Sequence, residues 1–355
     1  MSEIVVGMSG GVDSSVAAYL LKQEGHKVRG IFMQNWEEED SSHCSIKADS
    51  LDAISVADIL GIDVDLVNFA KEYQERVFRF FLDELREGRT PNPDVLCNSE
   101  IKFKAFLDYA RKQGAEQIAT GHYARKQNRD GVSHLLKAKD LNKDQSYFLY
   151  RLCSEQLAAT TFPLGGLTKP QVRRVASQLG LPVANKKDST GICFVGERHF
   201  RTFLQQYLPL ERGLILTPEG REVGEHIGLS FYTIGQRKGL GIGGNGKPWY
   251  VAEKDKTNNT LVVVQGHDHP LLFCREILVK DLSFISGSAP KEGCYEVKIR
   301  YRMQEERALL SYISDEAIRL VFERPVWAAT KGQSAVIYQG EVCLGGGLIV
   351  ATKSA

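Results

Sequence analysis

The sequence predicts an α/β protein: an N-terminal doubly wound parallel sheet followed by a small β-rich central domain and a C-terminal antiparallel β-barrel. Three observations lead there. Over the first part of the chain, apolar runs of strand length alternate with helical patterns, as parallel strands with crossover helices require. From Gly213 onward, glycine-rich turns separate short alternating stretches and helical patterns become rare. The 355 residues exceed a comfortable single core, so two or three domains are expected. Their boundaries are placed at residues 1–197, 198–268 and 269–355.

The first element is the apolar run Ile4-Val5-Val6-Gly7-Met8, read as a strand. Ser9-Gly10-Gly11-Val12-Asp13-Ser14-Ser15 follows, and Val16, Ala17, Leu20 and Leu21 then recur at the spacing of a buried helix face. The order is strand, glycine turn, helix start. Gly10 and Gly11 let successive N–H groups turn inward around an anion at the positive end of the helix. Asp13, Ser14 and Ser15 can cap the first turn or offer hydroxyls to phosphate oxygens. The stretch lacks the lysine and the spacing of a Walker A loop, so ordinary γ-phosphate transfer is not implied.

Residues 28–33 read as a second buried strand, 35–50 as a loop, 51–60 as a helix and 64–69 as a third strand. Ligands of such sheets lie outside the carboxyl ends of the strands, which places the Ser9 loop and Met33 at one crevice. Residues 71–86 form a long amphipathic helix stopped by Gly88. Residues 89–98, with two prolines and two asparagines, read as an irregular loop leading to a helix over 99–113 capped by Asn98 or Ser99. That reading sets Cys97 at a helix N-terminus, where the dipole favours an accessible thiolate, with Lys102 and Lys104 adding positive charge. Its competitor is a small buried hydrophobe.

Residues 117–123 read as a strand ending in Gly121 and His122. Gly121 permits close backbone approach to a ligand; His122 is either an RNA or substrate contact or a satisfied strand-end histidine. A short strand over 135–139, a polar turn at Lys143, Asp144 and Gln145, and a helix over 168–179 with Pro170 in its first turn complete this part. Cys193, just past a polar turn, reads as structural on composition alone. After a helix over 198–207, residues 213–266 form a β-rich unit whose segment 235–241 is either a flexible turn or a phosphate contact. Strands over 295–303, 307–313, 317–322, 334–338 and 341–344 suggest the barrel. Within the first of these, Lys298, Arg300 and Arg302 alternate onto one face: a solvated face or an RNA-facing stripe.

Composition narrows the class. The hydrophobic share of 43% and charged share of 25% are ordinary for a globular protein, and no apolar run approaches the length of a membrane span. No signal or transit segment precedes the first strand, so a cytoplasmic address without a membrane partner is expected. Seven scattered cysteines, never in a C-x-x-C pair, fit neither a disulfide framework nor a zinc knuckle. The net charge of +1 confines any RNA surface to a local patch.

The SGGVDSS loop resembles that of the ATP pyrophosphatases. Along nearly its whole length the chain is similar to the tRNA-specific 2-thiouridylases (the MnmA/TrmU family), through GMSGGVDSS at 7–15, TPNPDVLCN at 90–98, TGHYAR at 120–125, KDQSYFL at 143–149, DSTGICF at 188–194, TIGQRKGLG at 233–241, and GQSAV with GGGLI near the end. The resemblance implies an adenine nucleotide hydrolase-like N-terminal sheet and sulfur transfer to the 2-position of the wobble uridine of tRNAs for Lys, Glu and Gln. It implies that Cys193 carries a persulfide, overturning the structural reading, and that Cys97 ends in a disulfide with it. Asn92, Pro93 and Asp94 resemble the segment that meets the target base in that family, with Asp94 a candidate general base. Gly7, Met8, Ser9, Gly10, Gly11, Val12, Asp13, Ser14, Met33 and Gly121 match the ATP site, with Mg2+ accompanying the phosphates and no permanent cofactor. His122, Lys143, Asp144, Gln145, Arg300, Tyr301 and Gln333 match tRNA contacts. A sulfur donor is expected as partner, a relay protein or a cysteine desulfurase, and the sequence does not name which. Alternatives are another ATP pyrophosphatase that activates a carbonyl for attack by nitrogen, a nucleotide-sensing RNA-binding protein without turnover, and an iron–sulfur cluster held by Asp94, Cys97 and Cys193, whose spacing fits no cluster motif.

Overall fold

The computed structural model describes residues 3–37, 45–188, 200–244 and 246–354. Its first sheet is parallel, with strand order β3-β2-β1-β4-β7, formed by β1 (Glu3–Met8), β2 (Lys27–Gln34), β3 (Val64–Asn68), β4 (Gln117–Ala119) and β7 (Thr160–Thr161). Every residue of β1 after Glu3 is buried, as a strand covered on both faces requires. The pleat sorts its side chains. Ile4, Val6 and Met8 pack with Val16, Ala17 and Leu21 of α1 (Val12–Gln23), with Ala53 and Val56 of α2 (Ser45–Leu60), and with Val172 and Ala176 of the helix Lys169–Gln178. Val5 faces the other way, towards Tyr73, Val77, Phe103 and Phe106. Each fully buried Val, Ile, Leu, Phe or Met side chain among these contributes about 1.5–3 kcal/mol of transfer free energy.

The second layer comes from two long helical segments. One runs through Ala70–Tyr73, a π-type stretch Gln74–Phe78, and Arg79–Arg86. The other runs through Pro93–Leu96, a π-type stretch Cys97–Ala105, and Phe106–Lys112. The expected irregular loop over 89–98 is therefore corrected: helix begins at Pro93, whose fixed φ suits a first helical position, and Asn92 is its cap. The expected loop over 35–50 is likewise shortened, because α2 begins at Ser45.

The central unit is a four-stranded sheet in the order β10-β11-β8-β9, from β8 (Gly213–Leu216), β9 (Glu222–His226), β10 (Trp249–Asp255) and β11 (Thr260–Gln265). It has its own small core around Ile215, Val251, Leu261 and Val263.

Six antiparallel strands close the barrel in the order β12-β15-β14-β13-β16-β17, with β17 pairing back onto β12. They are β12 (Phe273–Phe284), β13 (Gly293–Lys298), β14 (Glu306–Ser314), β15 (Ala317–Trp327), β16 (Ser334–Gln339) and β17 (Val342–Ser354). β17 is far longer than expected. Its glycines permit the close approach: a Cβ at Gly346 would lie 2.1 Å from the Ala335 carbonyl oxygen.

The expected cationic stripe is not formed. β13 ends at Lys298, so Arg300 and Arg302 lie in the following turn and do not continue its alternation. Lys298 is buried and paired with Glu305 at 3.1 Å.

A hairpin of the N-terminal part, β5 (Arg125–Arg129) and β6 (Val132–Leu136), extends the barrel sheet: Leu135 and Leu136 pair with Cys343 and Val342 of β17. Its turn residues Asp130 and Gly131 both have positive φ, the backbone of a tight I′-type turn. Tyr338, Cys343 and Val336 of the barrel accordingly belong to the same core as Tyr147 and Phe106.

Candidate active site

The loop after β1 is held from within. Ser9 N–H donates to Ser14 Oγ at 3.1 Å, Ser14 Oγ donates to the Gly11 carbonyl at 3.2 Å, and Ser15 Oγ donates to the same carbonyl at 2.8 Å. Gly11 is the N-cap residue of α1 and has no side chain to satisfy the first N–H groups, which leaves the helix start suited to an anion. Gly10 has φ of 69° and lies so close to α2 that a Cβ would stand 2.1 Å from the Asp49 carbonyl oxygen. A Cβ at Gly121 would meet Ser14 N at 2.7 Å, so this glycine lies flush against the loop from the end of β4. Met33 packs across β1, its methyl 3.2 Å from where a Gly7 Cβ would be. The loop, Met33 and Gly121 are thus brought together at the carboxyl ends of β1, β2 and β4.

Around this loop runs an ion-pair network that no local pattern announced. Asp13 accepts from Lys169 Nζ at 2.7 and 2.8 Å and from the Tyr123 hydroxyl at 2.8 Å. The expected capping role of Asp13 is corrected: no side chain caps the start of α1, and the Asp13 carboxylate is engaged by Lys169 and Tyr123. Lys169, only 9% exposed, also meets Asp188 at 2.7 Å, and Asp188 is further paired with Lys143 at 2.7 Å and Arg173 at 3.1 Å. Burial works to raise the Asp188 pKa, but hydrogen bonds and charge from Lys143 and Lys169 outweigh it and hold the group at about 2. On the other side Lys186 Nζ donates to the Gly10 carbonyl at 2.9 Å and to Asp49 and Asp52 at 2.6 and 2.5 Å. Burial of Lys186 opposes its charge, yet the two carboxylates raise its pKa above the ordinary value.

Asn92 Oδ1 accepts from Asp94 N–H at 3.1 Å, capping the helix that Pro93 opens. Asp94 lies in its first turn and Cys97 three residues on, a spacing that sets the two on one helix face. The expectation that Cys97 is an accessible thiol at a helix N-terminus is corrected on both counts. Cys97 falls past the first turn, where the dipole effect has faded, and it is fully buried in the apolar core with Ile101 and Phe106. Lys104, assigned to its neighbourhood, is paired with Glu100 at 3.0 Å. Cys193 lies outside the described residues; Asp188, five residues before it, is the nearest anchored carboxylate on its N-terminal side.

The remaining candidates divide between loop and interfaces. His122 takes the second of its two expected environments: it is buried, bonded to Thr120 Oγ1 at 2.8 Å, and beside Phe103. Burial, then the charge of Lys102, push its pKa well below the usual imidazole value. Asp144 is buried and accepts from Ala138 N–H, Ser146 N–H and Ser146 Oγ; burial raises its pKa and those bonds oppose the rise. Gln145 Oε1 accepts from Tyr123 N–H at 2.9 Å. Tyr301 lies against Phe148, centroids 4.4 Å apart. Arg300 donates to the Ile234 carbonyl at 2.7 Å and to Thr330 Oγ1 at 2.8 Å, tying the central domain to the barrel. Gln333 donates to the Thr90 carbonyl at 2.7 Å, Thr90 N–H donates to the Lys331 carbonyl at 2.9 Å, and Lys254 Nζ lies 3.3 Å from Thr90 Oγ1. The segment leading to Asn92 and Asp94 is thus gripped by both later domains. Among the described residues no three His, Cys, Asp or Glu side chains gather as a metal site.

Comparison with known proteins places this geometry. Residues 2–197 match the tRNA methyl transferase HUP domain, 201–265 the tRNA methyl transferase PRC-barrel domain, and 274–349 the aminomethyltransferase beta-barrel domain. The tRNA-specific 2-thiouridylase MnmA of Neisseria meningitidis serogroup A is 64% identical over 99% of this chain and 96% of its own. The chain belongs to the tRNA-specific 2-thiouridylase family. Thiouridylases of Chromobacterium violaceum and Cupriavidus taiwanensis are 62% and 59% identical, over 98% of this chain in both cases and 91% and 98% of their own. Among solved structures, a U34-tRNA thiolase from Methanococcus maripaludis is similar over 59% of this chain and 67% of its own, at 21% identity and a TM-score of 0.36. As a thiouridylase the chain is a tRNA-uridine 2-sulfurtransferase, forming 2-thiouridine in tRNA. No helix among the described residues of this thiouridylase is long and apolar enough to cross a membrane.

Proposed function

We propose that the enzyme adenylates the 2-carbonyl oxygen of the wobble uridine of tRNAs for Lys, Glu and Gln and replaces it with sulfur from a persulfide on Cys193. That oxygen is a poor leaving group until ATP converts it to AMP, releasing diphosphate. Cys97 attacks the persulfide, freeing sulfur for the activated carbon and ending in a disulfide with Cys193. Asp94, on the same helix face as Cys97, is the general base. Gly7 to Ser14, Met33 and Gly121 hold ATP, whose phosphates bring Mg2+ with them. Asn92, Pro93 and Asp94 meet the splayed base, and His122, Lys143, Asp144, Gln145, Arg300, Tyr301 and Gln333 serve tRNA binding, the buried members through the backbone they fix. The sulfur comes from a relay protein or a cysteine desulfurase, in the cytoplasm.

The observation that carries this reading is the Lys169 bridge between Asp13 of the glycine loop and Asp188, which leads into the Cys193 segment. It anchors the glycine loop to a carboxylate that stands five residues before Cys193 in the sequence. The test is thiolation of unmodified tRNA for Glu with ATP and a persulfide source, following diphosphate in parallel. Wild type makes 2-thiouridine, while Cys97→Ser and Cys193→Ser bind tRNA without thiolating it. Thiolation by both variants at the wild-type rate would reduce the cysteines to packing residues.

A further inference from the structure

Asn35 directly follows Gln34, the last residue of β2, at the carboxyl end of the strand beside the one that feeds the glycine loop. Its side chain is 1% exposed, and among the described residues neither its amide nitrogen nor its amide oxygen has a hydrogen-bond partner. A buried amide with both ends unmade is costly, and an apolar side chain of similar shape would not carry that cost. Asn98, the other buried asparagine with an unpartnered atom, differs: its Nδ2 donates to the Phe148 carbonyl at 3.2 Å. Among the described residues Asn35 has no such partner for either end of its amide.

Its position says what it waits for. Adjacent strands stand about 4.8 Å apart, so a nucleotide with phosphates on the loop after β1 reaches the end of β2 with its base. Met33, two residues earlier, already crosses from β2 onto Gly7 below the loop. An asparagine amide sets one acceptor beside one donor, the complement of the N6 donor and N7 acceptor of adenine. Guanine and hypoxanthine present two acceptors on that edge. We infer that Asn35 is the residue by which the enzyme reads the adenine of its nucleotide, pairing with the N6 and N7 edge when the pocket opens to ATP. The inference rests on the ATP-using reaction proposed above and adds the group that makes the base choice.

The test compares wild type with Asn35→Leu and Asn35→Asp in tRNA thiolation, measuring KM for ATP and for inosine triphosphate, together with the nucleotide-free melting temperature. Wild type should favour ATP by about tenfold or more. Asn35→Leu should raise the ATP KM by about tenfold, leave the inosine triphosphate KM unchanged, and melt at or above the wild-type temperature. Asn35→Asp, which accepts from N6 but cannot donate to N7, should raise the ATP KM while keeping part of the preference. An ATP KM for Asn35→Leu within twofold of wild type would overturn the inference. So would equal weakening of both nucleotides, or loss of thiolation with ATP use intact, which would assign the amide to the tRNA. A collapse of the Asn35→Leu fold would also overturn it, by showing that the amide holds the chain. Failure of wild type to use any nucleotide would instead overturn the reaction on which it rests.

Discussion

At the scale of single residues, the site is built by spending charges on one another. Asp13, Lys169, Asp188, Lys143 and Arg173 form a chain of contacts in which each cation is neutralised before a substrate arrives. His122 pursues the opposite course, staying neutral in an apolar setting. Its folded pKa lies below the unfolded value of 6.5, so the unfolded chain binds the extra proton first. The neutral histidine therefore costs nothing above pH 6.5, and the native state loses stability as the pH falls below it. Urea titrations of wild type and His122→Gln should converge as the pH drops from 7 to 5; a constant gap between them would show that the ring does not titrate differently on folding.

At the scale of elements, the glycine loop is a joint between β1, α1 and α2 and leaves no room for a side chain at Gly10. Gly10→Ala should cost about 1–3 kcal/mol through its positive φ and its collision with the Asp49 carbonyl. Diphosphate release should fall while tRNA binding persists; retention of full diphosphate release would mean that the loop can reshape freely. This element was legible because every feature of it is local: an apolar strand, paired glycines and a periodic helix within about twenty residues. Cys97 was misplaced because two prolines read as loop, although Asn92 followed by Pro93 is itself a helix-start signal. The hairpin β5–β6 carried a legible Asp-Gly turn, but its partner β17 lies some two hundred residues on, and no local pattern reports that pairing. Sequence separation also hid Lys169 and Lys186, which lie 156 and 176 residues beyond Asp13 and Gly10. The cationic stripe failed for a simpler reason: alternation in sequence continued past the end of the strand.

At the scale of the whole molecule, the three sequence domains are not three independent bodies. The parallel-sheet part and the barrel share one hydrophobic core through Tyr147, Tyr150, Val336, Tyr338 and Cys343, and Arg151 pairs with Asp281 across the same boundary. The central sheet has a smaller core of its own and is fastened by Ser230 Oγ to the Leu85 carbonyl and by Lys254 to Thr90. Hydrogen exchange should accordingly show β1, β2, β16 and β17 opening together, in the last cooperative unit, with β8 to β11 opening earlier. Protection of β1 and β2 surviving after the barrel has exchanged would refute the shared core.

The attachment of β17 to β6 also sets an order in time. During synthesis the hairpin leaves the ribosome well before its partner, and at 5–20 residues per second the interval is roughly 10–40 s. Through that interval Leu135 and Tyr147 lack the strand that covers them, and Thr90 lacks the barrel residues that grip it. Until the barrel is made, neither the core beneath the glycine loop nor the grip on the segment bearing Asp94 and Cys97 is complete, so both wait for the last strand of the chain.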